Sequence, residues 1–172
     1  GVAGGFGHGF AHPIGGLDHV LAMIAAGLFA VRLGGRALVL VPLSFIAMIM
    51  VGGAVGMAGS GLPLVEIGIG LSVVVLGLCA ASGYRMPVSV AMALAGVFAL
   101  FHGYAHGAEM PESLSGLEYA AGFVLATSVL LAMGIAIGLA PRKLGEAIGA
   151  SVPRMVGSGI ALAGVVILVG NL

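Results

Sequence analysis

The chain has 172 residues, 60% of them hydrophobic and 7% charged, with a mean hydropathy of +1.25. A soluble domain carries roughly 25% charged residues; so little charge cannot cover a surface in water, and the composition points to an integral membrane protein. Six cationic and six acidic residues cancel, which leaves no basic footprint for nucleic acid, and the lone Cys79 can form no internal disulfide.

A bilayer core takes about 20 apolar residues per helix. In chain order, six segments meet that length, at roughly 14–32, 37–58, 63–83, 87–107, 117–140 and 153–172. The connections RLGGR, AGSGLP, SGYRMP, GAEMPESLSG and PRKLGEAIGASVPR carry the residues that stop helices. Pro63, Pro87 and Pro153 each stand near an expected helix start, where a missing N–H costs nothing. A β-barrel would need alternating segments of about 10 residues, and these runs are longer and uniformly apolar. The expectation is one all-α transmembrane domain over residues 1–172, a bundle of six helices.

The cations Arg32, Arg36, Arg85, Arg142, Lys143 and Arg154 all fall in the first, third and fifth connections. By the positive-inside rule those connections are cytoplasmic, so both termini are expected on the outer, periplasmic side. The chain begins at Gly1 without a methionine, which fits either removal of a signal peptide or a truncated chain.

On this topology the ligand-type residues collect on one side. His8, His12, Asp18 and His19 lie at the outer start of the first segment, Glu66 near the outer start of the third, and His102, His106 and Glu109 at the outer end of the fourth. Glu112 and Glu118 read as solvated loop and first-turn acids, and only Glu146 falls on the cytoplasmic side. A charge near a helix centre costs about 2.5–3.5 kcal/mol on insertion scales, so such groups persist when they face the bundle interior, pair or hold an ion. His102 and His106, four apart, share a helix face, and Glu109 follows seven after His102. His12 and His19 are also seven apart, with Asp18 beside the second, although Pro13 and Gly15-Gly16 argue against a regular helix there. His8 sits in GGFGHGF, which reads as mobile.

Two clusters of imidazole and carboxylate brought together by packing the first segment against the fourth would make a site for a divalent metal. Imidazole suits Zn, Cu, Fe, Ni and Co, and the absence of thiolates argues against a soft-metal cage. The carboxylates either ligate or orient the rings by accepting the second imidazole N–H. Ser44, Ser72, Thr127 and Ser128 either bond to their own helix or line a path inward, and the small-xxx-small pairs Gly52/Gly56 and Gly134/Gly138 favour close helix packing.

The stretches HPIGGLDH and FHGYAHGAEMP resemble the signatures of the HupE/UreJ family of membrane proteins. The pattern HPxxGxDH is met by His12, Pro13, Gly16, Asp18 and His19. FHGxAHGxExP is met by Phe101, His102, Gly103, Ala105, His106, Gly107, Glu109 and Pro111. VEIGIGLSVVVLG, with Glu66 and Ser72, is similar to the family's third-helix segment. The resemblance spans essentially the whole chain. It implies a secondary permease or channel in the bacterial inner membrane, most simply for nickel uptake in hydrogenase or urease maturation, with cobalt as second choice. The expected metal-capture residues are His12, Asp18, His19, His102, His106 and Glu109, with His8, Glu66 and Ser72 as further ligand or pathway residues. The ion, Ni²⁺ or Co²⁺, is then substrate, and no prosthetic group is expected. The partners are the ion and the lipid bilayer, and the sequence is compatible with an oligomer.

Other classes compete on the residues alone. A haem protein would use histidines from the first and fourth segments as axial ligands, and a sensor would bind metal without transport. A metallohydrolase would need a base beside its ligands, but HGYAH lacks the internal Glu of HExxH. With no phosphate-binding GxxxxGK[ST] loop either, an enzyme is not expected.

Overall fold

The computed structural model describes residues 2–110 and 115–170; Gly1, Pro111 and Glu112 lie outside them, as do the side chains of Arg142 and Glu146. Among the described residues the chain is all-helical: α1 Val2–Gly15, α2 Leu17–Leu33, α3 Ala37–Met57, α4 Val65–Ala81, α5 Val88–Ala108, α6 Gly116–Leu139 and α7 Glu146–Gly170, with a short 3-10 helix at Ala140–Leu144. Each of the six apolar segments is helical over most of its described residues. By length and apolarity four can cross a bilayer: α3, α5, α6 and Ile148–Gly170 of α7. A fifth span results if α1 and α2 are one crossing bent by 81°, and α4 is apolar but shorter, at 17 residues. The chain is thus a helical membrane protein with four to five candidate spans.

Three expectations need correction. The glycine-rich start that reads as mobile is the helix α1, and it runs through Pro13 to Gly15. The first apolar segment begins at Leu17, not 14, because Gly16 is extended (φ −100, ψ 118) and separates two helices. The last helix starts at Glu146, and Pro153 lies inside it. There, Gly145 (φ +116) makes the turn and its carbonyl accepts from Gly149 N–H at 2.9 Å. The helix formers Glu146, Ala147 and Ile148 start the helix ahead of the proline.

The reason α1 is helical lies across from it. Glycine disfavours a helix by about 1 kcal/mol per residue, yet a Cβ at Gly9 would collide with the Tyr119 carbonyl and one at Gly122 with the Phe6 carbonyl. α1 and α6 thus approach backbone to backbone, and this contact offsets the poor propensity. The same device recurs: Gly27 and Gly134 bring α2 and α6 together, Gly77 and Gly157 bring α4 and α7 together, and between α3 and α5 Gly52 and Gly56 lie against the Leu100 and Tyr104 carbonyls while Gly103 and Gly107 lie against those of Ile49 and Gly53.

α2 is the central element and contacts each of the other six α-helices. Its residues Ala25–Val31 are all buried. Other large apolar side chains face outward, as at Val39, Leu162 and Val166, which are 59%, 69% and 72% exposed. Small residues at the helix crossings and apolar side chains left exposed suit helices packed in lipid, where burying an apolar side chain brings little gain and close backbone approach brings much.

Gly52→Ala should lower stability by about 1–3 kcal/mol, because its Cβ would meet the Leu100 carbonyl and stand 2.9 Å from Tyr104 N. Gly53→Ala, whose nearest neighbour is 3.6 Å away at the Gly103 carbonyl, should change it little. Thermal unfolding of the two purified variants in detergent checks the contrast; equal losses would refute a close α3–α5 crossing.

Candidate metal centre

The break at Gly16 turns the C-terminal end of α1 toward that of α5. His12 stands in the last turn of α1, His106 in the last turn of α5, and Glu109 is the α5 C-cap. His12 Nε2 lies 3.1 Å from Glu109 Oε2, and the His12 and His106 rings meet edge-on at 4.7 Å. One donor atom each from His12, His106 and Glu109 fall within 4.8 Å of one another. Two helices thus end beside this place, and a cation near a helix C-terminus is favoured by about 0.3–1 kcal/mol.

Across the break, Asp18 occupies the first turn of α2, where a carboxylate complements the helix dipole. Its Oδ1 accepts from the His19 backbone N–H and from the His19 ring at Nδ1, both at 2.8 Å. Gly16 is required here: a Cβ would stand 2.8 Å from Asp18 Oδ1 and 2.9 Å from His19 Nδ1. The His19 ring then packs edge-on between two others, 4.3 Å from His106 and 4.5 Å from His102. Four histidines from α1, α2 and α5 therefore form a continuous chain of rings, His12–His106–His19–His102.

That chain runs from wet to dry. The side chains of Glu109 and His12 are 61% and 39% exposed and that of His19 is 11%, while His102 is wholly buried. An open cavity of about 450 Å³ sits over the outer end, lined by His8, His12, Asp18, His19, His106 and Glu109 among others. His102 lies beneath it, its Nε2 2.7 Å from Ser72 Oγ of α4. Of the nine residues singled out in the sequence, the fold thus brings eight into one continuous constellation. The ninth, Glu66, is exposed on the first turn of α4 and outside the cavity lining.

Two residues join that were not singled out as ligands. Phe123 of α6 packs on the His106 ring at 4.5 Å, and Tyr119, stacked on Phe123, lies 6.1 Å from His12. Thr127, one turn further along α6, is fully buried, and neither its hydroxyl nor that of Tyr119 has a hydrogen-bond partner among the described residues. The i, i+4, i+8 spacing of Tyr119, Phe123 and Thr127 marks one helix face, but only the packing of α6 shows which neighbour that face meets.

The HupE / UreJ protein family model matches residues 1–167. The chain belongs to the HupE/UreJ family. A relative, "Protein HupE" of Rhizobium leguminosarum bv. viciae, is 45% identical over 162 residues, covering 94% of this chain and 83% of its own length. No solved structure matches. In this HupE/UreJ chain, the two histidine stretches so far apart in sequence meet at the His12–Glu109 contact, 97 residues apart.

If the His19–Asp18 pair serves cation binding, Gly16→Ala should weaken Ni²⁺ or Co²⁺ affinity about 10- to 100-fold by displacing it. Gly15→Ala has open space for its Cβ and should leave affinity within twofold or so. Isothermal titration of the purified variants distinguishes the two, and equal affinities would exclude the pair from binding.

Proposed function

We propose that the chain is a secondary permease or channel for a divalent transition metal, with Ni²⁺ as its principal cargo and Co²⁺ second. The observation that carries this reading is the convergence of His12, His106 and Glu109 donors within 4.8 Å at the mouth of a cavity, in a member of the HupE/UreJ family. Family membership supports a role related to nickel or cobalt transport, in keeping with delivery of nickel for hydrogenase or urease maturation. The mixed nitrogen and oxygen donors suit a borderline first-row ion better than a soft or a hard one.

On this reading the site faces the periplasm at the bacterial inner membrane. Supporting this, the cations gather at the opposite end of α2. Arg32 donates to the Ser82 carbonyl at 2.9 and 3.2 Å, and the Arg32 and Arg154 guanidiniums both stand near Gly83, 3.8 and 3.9 Å from where a Cβ would lie. A helix of 17 residues separates the two ends by about 25 Å. With the cations cytoplasmic, both chain ends face outward and α1–α2 forms a broken crossing beside the cavity. Broken helices are tolerated at membrane depth where they line a wet cavity.

In this mechanism a hydrated ion enters the cavity and exchanges waters for His12, His106 and Glu109. It then moves toward His19 and His102 along the ring chain. The haem alternative is disfavoured by the edge-on contact of His19 and His102 at 4.5 Å, since axial ligands stand on opposite faces of a macrocycle.

Uptake into proteoliposomes, with Ni²⁺, Co²⁺ and Zn²⁺ compared, is the test. Selective uptake that falls at least tenfold in His102→Ala and in His106→Ala supports the permease; binding without flux would replace it with a sensor. Protons compete with the ion for every ring nitrogen, so lowering the pH from about 8 to 5 should weaken binding progressively. A flat response would remove imidazole from the ligand set.

A further inference from the structure

At the cationic end of the bundle, away from the histidines, charge meets an apolar groove. α4 and α7 run antiparallel and close backbone to backbone: a Cβ at Gly77 would stand 2.7 Å from Ala161 N, and one at Gly157 2.6 Å from Ala81 N. α4 therefore stops level with Gly157, while α7 continues to Glu146, roughly 16 Å further. Along the outward side of this seam lies a groove of about 300 Å³, lined by Val74, Leu78, Ser158, Ala161, Leu162 and Val165. Leu78, Leu162 and Val165 are exposed, so the groove opens to the surroundings of the bundle. Leu78 stands one turn before Ser82 on α4, and Ser158 one turn after Arg154 on α7. The groove thus leads to the place beside Gly83 where the Arg32 and Arg154 guanidiniums stand.

The charge at that place has one sign. Arg32 donates to the Ser82 carbonyl, Arg154 is exposed, and the exposed Arg85 follows in the same connection. The described carboxylates, those of Asp18, Glu66, Glu109 and Glu118, all stand at the opposite end, in the first turns of α2, α4 and α6 and at the α5 C-cap. Tyr84, next to Gly83 in the chain, is 71% exposed, an aromatic of the kind found at headgroup level. Ser128 and Ser151 bond back to their own helices, but the exposed Ser158 hydroxyl has no such bond among the described residues.

We propose that this seam binds one anionic glycerophospholipid. Its phosphate lies on Arg154, within the field of Arg32; its ester linkage meets the Ser158 hydroxyl; an acyl chain follows Ala161, Leu162 and Val165. Those residues share one face of α7 and stand in the order headgroup, glycerol, tail. Arginine suits the phosphate because its planar fork donates two parallel bonds. Basic pockets between membrane helices on the cytoplasmic side, where the cations place this end, hold anionic headgroups. An acidic peptide would use the charge and leave the groove empty, whereas a neutral lipid would use the groove and leave the charge. The inference goes beyond the transport reading and does not depend on the ion.

The test uses the purified full chain, stripped of lipid in detergent, with phosphatidylglycerol as probe and phosphatidylcholine of the same tails for comparison. Phosphatidylglycerol near saturation should raise the thermal unfolding midpoint by about 5 °C, and phosphatidylcholine by far less. Arg154→Gln should weaken phosphatidylglycerol binding about five- to tenfold in a lipid titration followed by native mass spectrometry. Ser158→Phe, which fills the groove, should weaken it at least as much. Lys143→Gln, which removes the same charge outside the groove, should leave it within about twofold. All three positions are exposed, so the lipid-free variants should unfold at the parent's temperature. Equal stabilisation by the two lipids, or equal losses in Arg154→Gln and Lys143→Gln, would reduce the site to general attraction between a basic face and an anionic surface and overturn it. Stabilisation by inorganic phosphate alone would replace the lipid with a free anion. Unchanged affinity in Ser158→Phe would remove the groove from the site.

Discussion

Where α1 stops at Gly15 and α2 begins at Leu17, the last carbonyls of one helix and the first amides of the next have no partners within their own helices. In an apolar surrounding each such group costs several kcal/mol, on the order of a lost hydrogen bond or more. The break therefore has to sit against polar groups or water, and it does. Val20 N–H donates to the Gly16 carbonyl, Asp18 accepts the His19 N–H, and the cavity opens beside them. A continuous helix over residues 2–33 would need none of this. It would also carry His12 and His19 along one rod, instead of folding the His12 turn back over Glu109.

The break positions the histidines only because the helices around it come very close. Gly9 and Gly122 join α1 to α6, and Gly103 and Gly107 join α5 to α3, so the two helices that carry His12 and His106 are each held from behind by backbone contact. Larger side chains at those crossings would separate the helices, and ring contacts of 4.3 to 4.7 Å would not survive it. Small residues thus act on the site without touching it. The core of α2, rich in alanine, serves the same end by letting six helices pack around one.

The resulting site is graded. Glu109 and His12 at the rim are well exposed, so on the proposed transport reading an ion would exchange its waters there one at a time. His102 has no such exposure and depends wholly on Ser72 and the neighbouring rings. A fully stripped divalent ion is costly in a dry interior, and a sequence of donors from wet to dry divides that cost into steps. On the same reading, the dipoles of α1 and α5 would favour a cation at the rim.

Composition alone was enough to establish a helical membrane protein, because too little charge is present to solvate a surface. Apolar run length placed α3, α5 and α6 to within a residue or so, since lipid demands an internally bonded helix of that length. The two histidine motifs were legible as chemistry because ligand residues are rare in such a chain and i, i+4 spacing puts His102 and His106 on one face. What the residues could not say was that GGFGHGF is a helix or that Pro153 lies inside one. Local propensity argues against the first, and in both cases the stabilising contact or turn comes from elsewhere in the chain. Nor could they reveal that Ser72 bonds His102, that Tyr119 and Phe123 approach the rings, or that Glu66 stands apart. Those facts depend on which helix faces meet, and in a chain whose faces are all apolar, only close packing between backbones decides that.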